Sequence, residues 1–162
     1  MTSKPVTVRK RRRLRFASFD DVVADAQRAH AGRYEPLGNW SLGQAVKHLG
    51  TAMDASIDGV DFPAPLYLRV LGRLILRPVI LYWQFPPGAK LPPSAAKVLV
   101  AKDTTPFDEA LRVLRAGMER LARESGRKSH PVIGRLSVAQ WNRFHLRHAE
   151  LHLSFFVPPA PQ

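Results

Sequence analysis

Cysteine is absent from this chain of 162 residues. Its absence excludes a disulfide framework, a thiolate nucleophile, an iron–sulfur cluster and a cysteine-type zinc site. Any metal ion must therefore be bound by histidine, carboxylate or water. The candidate nitrogen ligands are six histidines, namely His30, His48, His130, His145, His148 and His152.

A long uncharged apolar run is also missing. The most apolar stretch, residues 66–83, carries three arginines four residues apart, and Pro78 interrupts it. An arginine at the centre of a bilayer costs about 2.5–3.5 kcal/mol, so a spanning helix is not expected. We predict instead a short amphipathic helix, broken at Pro78, that packs across the fold with Arg69, Arg73 and Arg77 outward. A helix lying on an anionic membrane surface is the alternative, although we do not expect a membrane partner.

Acidic residues are scarce at the amino terminus. Residues 1–16 hold seven basic residues and no acidic one, whereas the rest of the chain has 18 basic and 13 acidic residues. The arginine run resembles the start of a twin-arginine signal, but acidic amphipathic sequence follows it, so we expect a cytoplasmic protein. We expect a flexible basic tail over residues 1–15. Such a tail can contact phosphates, yet no nucleic-acid-reading motif accompanies it, and nucleic acid is not an expected partner.

The overall composition is that of a globular protein. Apolar residues make up 45% and charged residues 23% of the chain, which excludes a mainly disordered or collagen-like protein. A length of 162 residues corresponds to one domain, which we place at residues 16–158.

Start signals predict four long helices. Ser18 is an N-cap followed by acidic residues, Ser41 with Gln44 and Ser137 with Gln140 form capping boxes, and Thr105 is an N-cap candidate followed by Pro106. The predicted helices begin near residues 18, 41, 106 and 137 and end near 31, 57–59, 126 and 158. No convincing strand alternation is present, so we predict an all-α four-helix bundle with a long crossover over residues 60–104.

Three histidines share one face of the last predicted helix. His148 and His152 are spaced i,i+4, which lets two imidazoles reach one metal ion. At 100° per residue, His145 lies 60° from His148 and 20° from His152, on the stripe that includes Trp141 and Phe144. Arginines 143 and 147 fall elsewhere on this helical wheel. A shared cation would satisfy several buried imidazoles at once, while ordinary core histidines with backbone partners are the alternative.

His48 extends this pattern to the second helix. Ligands project inward from facing helices of a bundle, so His48 with His148 and His152 would form a three-histidine site, which is typical of catalytic rather than structural zinc. Gln44 is predicted to serve its capping box rather than the site. His130, in a loop before a proline, is predicted to anchor that loop or to lie at the mouth of the site. His30 is expected to be solvated.

No protein carboxylate is a candidate general base. Asp54 and Asp58 lie off the direction of His48, and Glu150 is about 200° from His148 and is expected to point outward. The remaining candidates for an acid or base role are His145 and His130.

The combined motifs resemble the DinB-like (DinB/YfiT) superfamily of metal-dependent proteins. GNWSLGQAVKHLGTAM and the paired histidines of the last helix carry this resemblance. A bacterial branch of unknown function is similar in LRFASFDDVVAD, SIDG, FPPGAKLP, FDEALRVL, HPVIGRLS and RHAELHLSFF. The resemblance covers about residues 13–157. It implies an up-down-down-up four-helix bundle, a metal site of His48, His148 and His152, and a homodimer with Tyr82, Trp83 and Phe85 as interface candidates. His145 has no counterpart in the general superfamily pattern but fits the narrower branch, and we expect it to support the ligands or to face the substrate.

We therefore expect a metal-dependent enzyme acting on a small-molecule substrate. Zinc is the first choice of ion, and nickel, iron or manganese also suit three imidazoles. Relatives within the resembled superfamily imply a hydrolase or a transferase that uses a low-molecular-weight thiol. The alternative is a non-catalytic bundle whose basic tail binds nucleic acid or an anionic surface.

Overall fold

The computed structural model describes residues 10–60, 64–83 and 104–160, and within these ranges the chain is mostly helical. The elements in chain order are α1 (Phe19–Ala31), β1 (Glu35–Pro36), α2 (Leu42–Asp58), α3 (Leu66–Leu71), a π-helical turn (Gly72–Leu76), α4 (Arg77–Tyr82), α5 (Phe107–Arg123), α6 (Val138–Leu153) and β2 (Phe156–Val157). None of the helices in these ranges is long and apolar enough to span a membrane. The FPPGAKLP stretch, Phe85 and the first nine residues lie outside the described residues.

Three helices begin where their capping residues predict. Each N-cap serine hydroxyl accepts a hydrogen bond from the backbone of the third helical residue, whose side chain accepts one from the serine backbone. The pairs are Ser18 with Asp21, Ser41 with Gln44 and Ser137 with Gln140. Both predicted capping boxes are therefore confirmed, and the acidic start of α1 forms a third.

Helix α5 departs from the prediction at both ends. Its N-cap is Pro106 rather than Thr105, because Pro106 is extended and no side chain caps the helix. The helix ends at Arg123, before the predicted stop at Gly126, because Glu124 is already extended. The guanidinium of Arg127 then donates to the carbonyl oxygens of Leu121 and Glu124, so a side chain satisfies the helix end.

The last helix is shorter than predicted. It ends at Leu153, and Phe156 and Val157 pair in antiparallel register with Pro36 and Glu35. The prediction that α6 continues to Pro158 is wrong, because these residues exchange helical hydrogen bonds for bonds with distant segments. The backbone amide of Leu37 adds to the ladder by donating to the carbonyl of Phe155 at 2.8 Å.

The main core lies between α2 and α5, with α1 and α6 packed alongside. Glycines allow the backbones of α2 and α5 to meet closely. A Cβ atom on Gly50 would lie 2.6 Å from the carbonyl oxygen of Val113, and one on Gly117 would lie 2.9 Å from the carbonyl oxygen of Gly50. Because α6 also packs on α2, this arrangement sets the inward face of α2 against the histidine face of α6.

The crossover helix, which we define as residues 66–82, differs from the prediction. Pro78 does not break it, because Pro78 follows the π-helical turn and occupies the first turn of α4, where its missing amide is tolerated. Four of the apolar side chains of α3 are not packed against the fold but exposed, namely Leu66, Tyr67, Val70 and Leu71, whereas Leu68 is half-buried. Of the three arginines, Arg77 is half-buried and donates to Gln140 Oε1 at 3.1 Å, so it does not simply point outward.

Residues 10–15, which belong to the predicted basic tail, lie against the carboxyl-terminal part of the chain. The guanidinium of Arg12 binds the buried carboxylate of Asp25 through two nitrogens, at 2.8 and 2.7 Å. It also donates to the carbonyl oxygens of Leu153 and Phe156. The positive charge of Arg12 is therefore used within the fold rather than offered to a partner.

Candidate metal centre

Two helices supply the three histidines that are predicted to bind a metal. His48 is buried near the middle of α2, and its ring faces α6. His148 and His152 are one turn apart on the same side of α6, and their rings meet edge to face with centroids 4.6 Å apart. His48 is buried and the other two are half-buried, which leaves the group accessible from the side of α6.

The three side chains converge on one point. The Nε2 atom of His148 lies 3.2 Å from Nε2 of His48 and 2.9 Å from Nε2 of His152. One ligand nitrogen from each residue lies within 4.8 Å of the other two, a spacing that can hold a single metal ion. Among the described residues, no cysteine or carboxylate joins the group.

Burial favours the neutral form of His148 and His152. Desolvation lowers the pKa of His152 to about 3, with the neighbouring His48 as a further cause. Desolvation also holds the pKa of His148 well below 6.5, and the adjacent His152 and His48 lower it further. A metal ligand must offer a lone pair, so the neutral rings of His148 and His152 are competent ligands at physiological pH.

Hydrogen bonding alone suits this arrangement poorly. A ring nitrogen carries either a proton or a lone pair, so three Nε2 atoms that face one another cannot all be matched as donor and acceptor. In a tetrahedral zinc site, bonds of about 2.0–2.1 Å set the ligand nitrogens roughly 3.3 Å apart. The observed spacings of 3.2 and 2.9 Å are close to that value, so the residues fit a metal ion.

Aromatic rings surround the three histidines. The indole of Trp40 stacks on His152, with ring centroids 5.2 Å apart, and meets His48 edge-on at 5.1 Å. On α6, the ring of Phe144 lies 5.8 Å from that of His148. No role for Trp40 was predicted from the sequence. Its position immediately before the N-cap of α2 is a signal that could have placed it near His48.

His145 is not part of the converging group. Its Nε2 lies 3.1 Å from the hydroxyl oxygen of Ser56, which itself donates to the carbonyl of Met53 at 2.7 Å. The single hydroxyl proton is thus used, so His145 donates and Ser56 accepts. Burial, with smaller contributions from Arg127 and His130, lowers the pKa of His145 to about 3. His145 links α6 to α2 as a neutral core residue.

His130 anchors its own loop. Its Nδ1 accepts hydrogen bonds from the backbone amides of Val132 and Ile133, at 3.1 and 3.2 Å, and its backbone pairs with that of Gly134. Burial lowers its pKa to about 4. This is the loop-anchoring role considered from the sequence, and the acceptor Nδ1 leaves Nε2 as the protonated nitrogen. The ring faces Trp141 and Phe144 rather than the three converging histidines.

The carboxylates on α2 are engaged elsewhere. Asp54 and Asp58 both accept hydrogen bonds from the guanidinium of Arg120 on α5. These contacts turn the acidic side chains away from α6. Neither of these two carboxylates of α2 is therefore a candidate general base.

Glu150 and Arg147 depart from the helical-wheel prediction. Both are buried, although Glu150 was expected to point outward and Arg147 to lie off the inward face. Their side chains are 2.7 Å apart, and they hold the backbone of Phe16: its amide donates to Glu150 and its carbonyl accepts from Arg147. The segment before α1 therefore covers this side of α6. Burial raises the pKa of Glu150 and lowers that of Arg147.

Comparison with known proteins identifies one family. A family described as protein of unknown function (DUF1569) has a model that matches residues 8–159 of the chain. No curated protein and no solved structure matches it significantly.

Proposed function

Because the chain belongs to the DUF1569 family of proteins of unknown function, its activity has to be inferred from its own residues, and we propose a metal-dependent enzyme. In this proposal, His48, His148 and His152 bind one divalent ion. The convergence of the three Nε2 atoms at 2.9 and 3.2 Å carries the proposal. The DinB-like four-helix bundle with an up-down-down-up course, and a cytoplasmic location, belong to the same proposal.

Imidazole ligands favour zinc as the ion, and nickel, iron and manganese are the other candidates. Three neutral nitrogen ligands leave the full positive charge of the ion uncompensated. Catalytic zinc sites typically use three protein ligands, whereas structural sites are closed by a fourth. The absence of a fourth ligand among the described residues therefore supports a catalytic site over a structural one.

A bound ion of this kind supplies Lewis-acid chemistry, which makes water or a thiol nucleophilic near neutral pH. The protein would supply the surroundings. Trp40 and Phe144 form apolar walls beside the histidines, so they exclude water and strengthen electrostatic interactions within the site. The stacking of Trp40 on His152 also restricts the rotation of that imidazole.

The reaction class that fits best is hydrolysis or the transfer of a group to a thiol. The chain has no cysteine, so a thiol nucleophile would have to come from a small molecule. No carboxylate among the described residues joins the three histidines, so a proton acceptor would come from the substrate or solvent. The substrate itself is a small molecule that can reach the half-buried face of His148 and His152.

Metal content tests the ligand set. Untagged wild-type protein should contain one equivalent of divalent metal by plasma mass spectrometry, and a His148→Ala/His152→Ala variant should contain almost none. His30→Ala is the matched control, because His30 is an exposed histidine that stacks on Phe107. Circular dichroism establishes that each variant is folded. Absence of metal from the wild type, even after dialysis against zinc, nickel or manganese, would refute the site.

Trp40 offers an independent optical measurement. Its indole contacts two of the three histidines, so a quenching ion such as Ni²⁺ or Co²⁺ at this position should lower its fluorescence. A titration of apoprotein should saturate at one equivalent, and Trp40→Phe should lose most of the response while still binding metal. An unchanged response in Trp40→Phe would place the bound ion elsewhere.

Activity requires its own assay. Metal-loaded protein should hydrolyse activated esters or transfer a group to a low-molecular-weight thiol, and the double histidine variant should not. If the protein binds metal but turns over none of these substrates, the enzymatic part of the proposal fails while the ligand assignment stands.

A further inference from the structure

The crossover helix and Trp83 present an exposed apolar surface. Its large apolar and aromatic side chains are between 45% and 73% exposed, and they are Leu66, Tyr67, Val70, Leu71, Leu74, Ile75, Tyr82 and Trp83. Among the other described residues, Val138 is the large apolar side chain with comparable exposure, at 40%. Apolar exposure concentrated in this way marks an interaction surface rather than the scattered exposure that is normal for proteins.

The surface is attached firmly to the fold at its second half. Ile80 and Leu81 are buried against a cluster that includes Trp141, and Arg77 and Tyr82 contact α6 through Gln140 and Arg143. The π-helical turn over Gly72–Leu76 inserts one extra residue, which rotates the following side chains by roughly 100°. Gly72 faces Val132 and Leu76 packs on the Trp141 cluster, and Ile80 and Leu81 continue this inward side, whereas Leu74 and Ile75 face outward.

The charged residues of the segment that forms this surface are all basic. Residues 64–83 include three arginines and no acidic residue. Arg69 and Arg73 are exposed and lie one turn apart, so they form a basic edge beside the apolar face of α3. Arginine side chains in such positions extend to a polar interface while their methylene groups cover apolar surface.

We propose that residues 66–83 dock on an anionic lipid surface, with the apolar side chains in the acyl boundary and Arg69 and Arg73 at the headgroups. Basic amphipathic helices bind lipid in this orientation, and tyrosine and tryptophan favour the headgroup level. The net charge of +12 attracts the whole protein to the same surface. A second copy of the chain fits less well, because a self-complementary contact at this face offers no acidic residue of the segment to pair with its arginines.

Vesicle co-sedimentation of the full chain tests this docking. Wild-type protein should pellet with vesicles of mixed phosphatidylserine and phosphatidylcholine, weakly with phosphatidylcholine alone, and less at high salt. Leu74→Ser/Ile75→Ser should weaken binding about tenfold or more, since two large apolar groups stay out of the lipid. Val138→Ser is the matched control, because it removes an exposed apolar side chain elsewhere and should bind like wild type.

Trp83 reports the orientation directly. Its indole is 67% exposed, so its emission should shift to shorter wavelength when anionic vesicles are added. Trp83→Phe should lose that shift but retain binding. Arg69→Gln should reduce binding to anionic vesicles selectively, and it serves as a second variant if the serine double variant is unstable.

Two results would overturn the proposal. Equal vesicle binding by wild type and a folded Leu74→Ser/Ile75→Ser variant would assign lipid attraction to the basic amino terminus alone. A lipid-free wild-type dimer that the same substitutions convert to a monomer, measured by analytical ultracentrifugation, would instead identify a homodimer interface. Neither result depends on the metal content of the protein.

Discussion

Replacing His145 by glutamine should remove part of the acid sensitivity of the fold. His145 is 2% exposed between α2 and α6, and its burial lowers its pKa from 6.5 to about 3. In acid, the unfolded chain therefore binds a proton at this position that the folded chain excludes. The free energy of unfolding therefore carries no penalty from His145 above about pH 6.5. It falls steadily as the pH is lowered from 6.5 towards 3.

The size of the effect follows from the two pKa values. Each pH unit below 6.5 lowers the free energy of unfolding by about 1.4 kcal/mol for one such histidine. Between about pH 7.5 and 5, His145 alone should thus account for a loss of about 2 kcal/mol. Glutamine does not titrate, and its amide can still donate to Ser56. The stability difference between wild type and His145→Gln should therefore shrink by about 2 kcal/mol over this interval.

Urea unfolding followed by far-ultraviolet circular dichroism measures this difference. The experiments include a chelator, so that metal binding does not contribute. Both proteins should still lose stability in acid, because His130 has a pKa lowered to about 4 by burial and is present in each. His30→Gln, which changes an exposed histidine, should parallel the wild type. If the wild type and His145→Gln depend on pH in the same way, the folded His145 does not exclude its proton.

Three further predictions concern packing, the amino-terminal segment and the metal. Gly50→Ala should destabilise the fold by about 1–3 kcal/mol, since its Cβ would lie 2.6 Å from a backbone oxygen of α5; Gly126→Ala, with nothing within 4 Å, is the thermal-melting control. Asp25→Asn should cost about 1.5–3 kcal/mol in urea unfolding, because it weakens the two-nitrogen arginine contact; an unchanged midpoint would contradict that role. Zinc at 100 times its dissociation constant should stabilise the wild type by about 2.7 kcal/mol. The stabilisation should appear as a higher melting temperature, and His148→Ala/His152→Ala should not show it. An equal increase in that variant would exclude this site.

The starts of α1, α2 and α6 could be predicted because local contacts set them. A serine hydroxyl and a side chain three residues later satisfy backbone groups within one turn, and this pattern is visible in the sequence. The ends of α5 and α6 were predicted too late. The residues that end these two helices lie outside them. Arg127 caps α5 with its side chain, and β1 pairs with the residues that follow α6.

The candidate site also combines features that local spacing predicts with features that depend on remote segments. The i,i+4 spacing of His148 and His152 and the inward stripe of His48 predicted that these histidines could meet. The same helical wheel also placed His145 on their face, and the structure pairs His145 with Ser56 instead. The sequence did not reveal Trp40, whose contact with two of them depends on how the loop before α2 folds over α6. Glu150 was placed wrongly because a helical wheel treats the face away from the histidines as solvent, whereas residues 10–16 cover it.

By itself the sequence determined the helical class, three helix starts and the three histidines on inward faces, since these follow from periodicity and from contacts within a turn. Only the tertiary structure decided that the Nε2 atoms converge at 2.9 and 3.2 Å, and that Arg147 and Glu150 are buried. It also decided that the apolar side of the crossover helix is exposed. Such outcomes depend on which surfaces meet across more than a hundred residues of chain, and no local pattern encodes that choice.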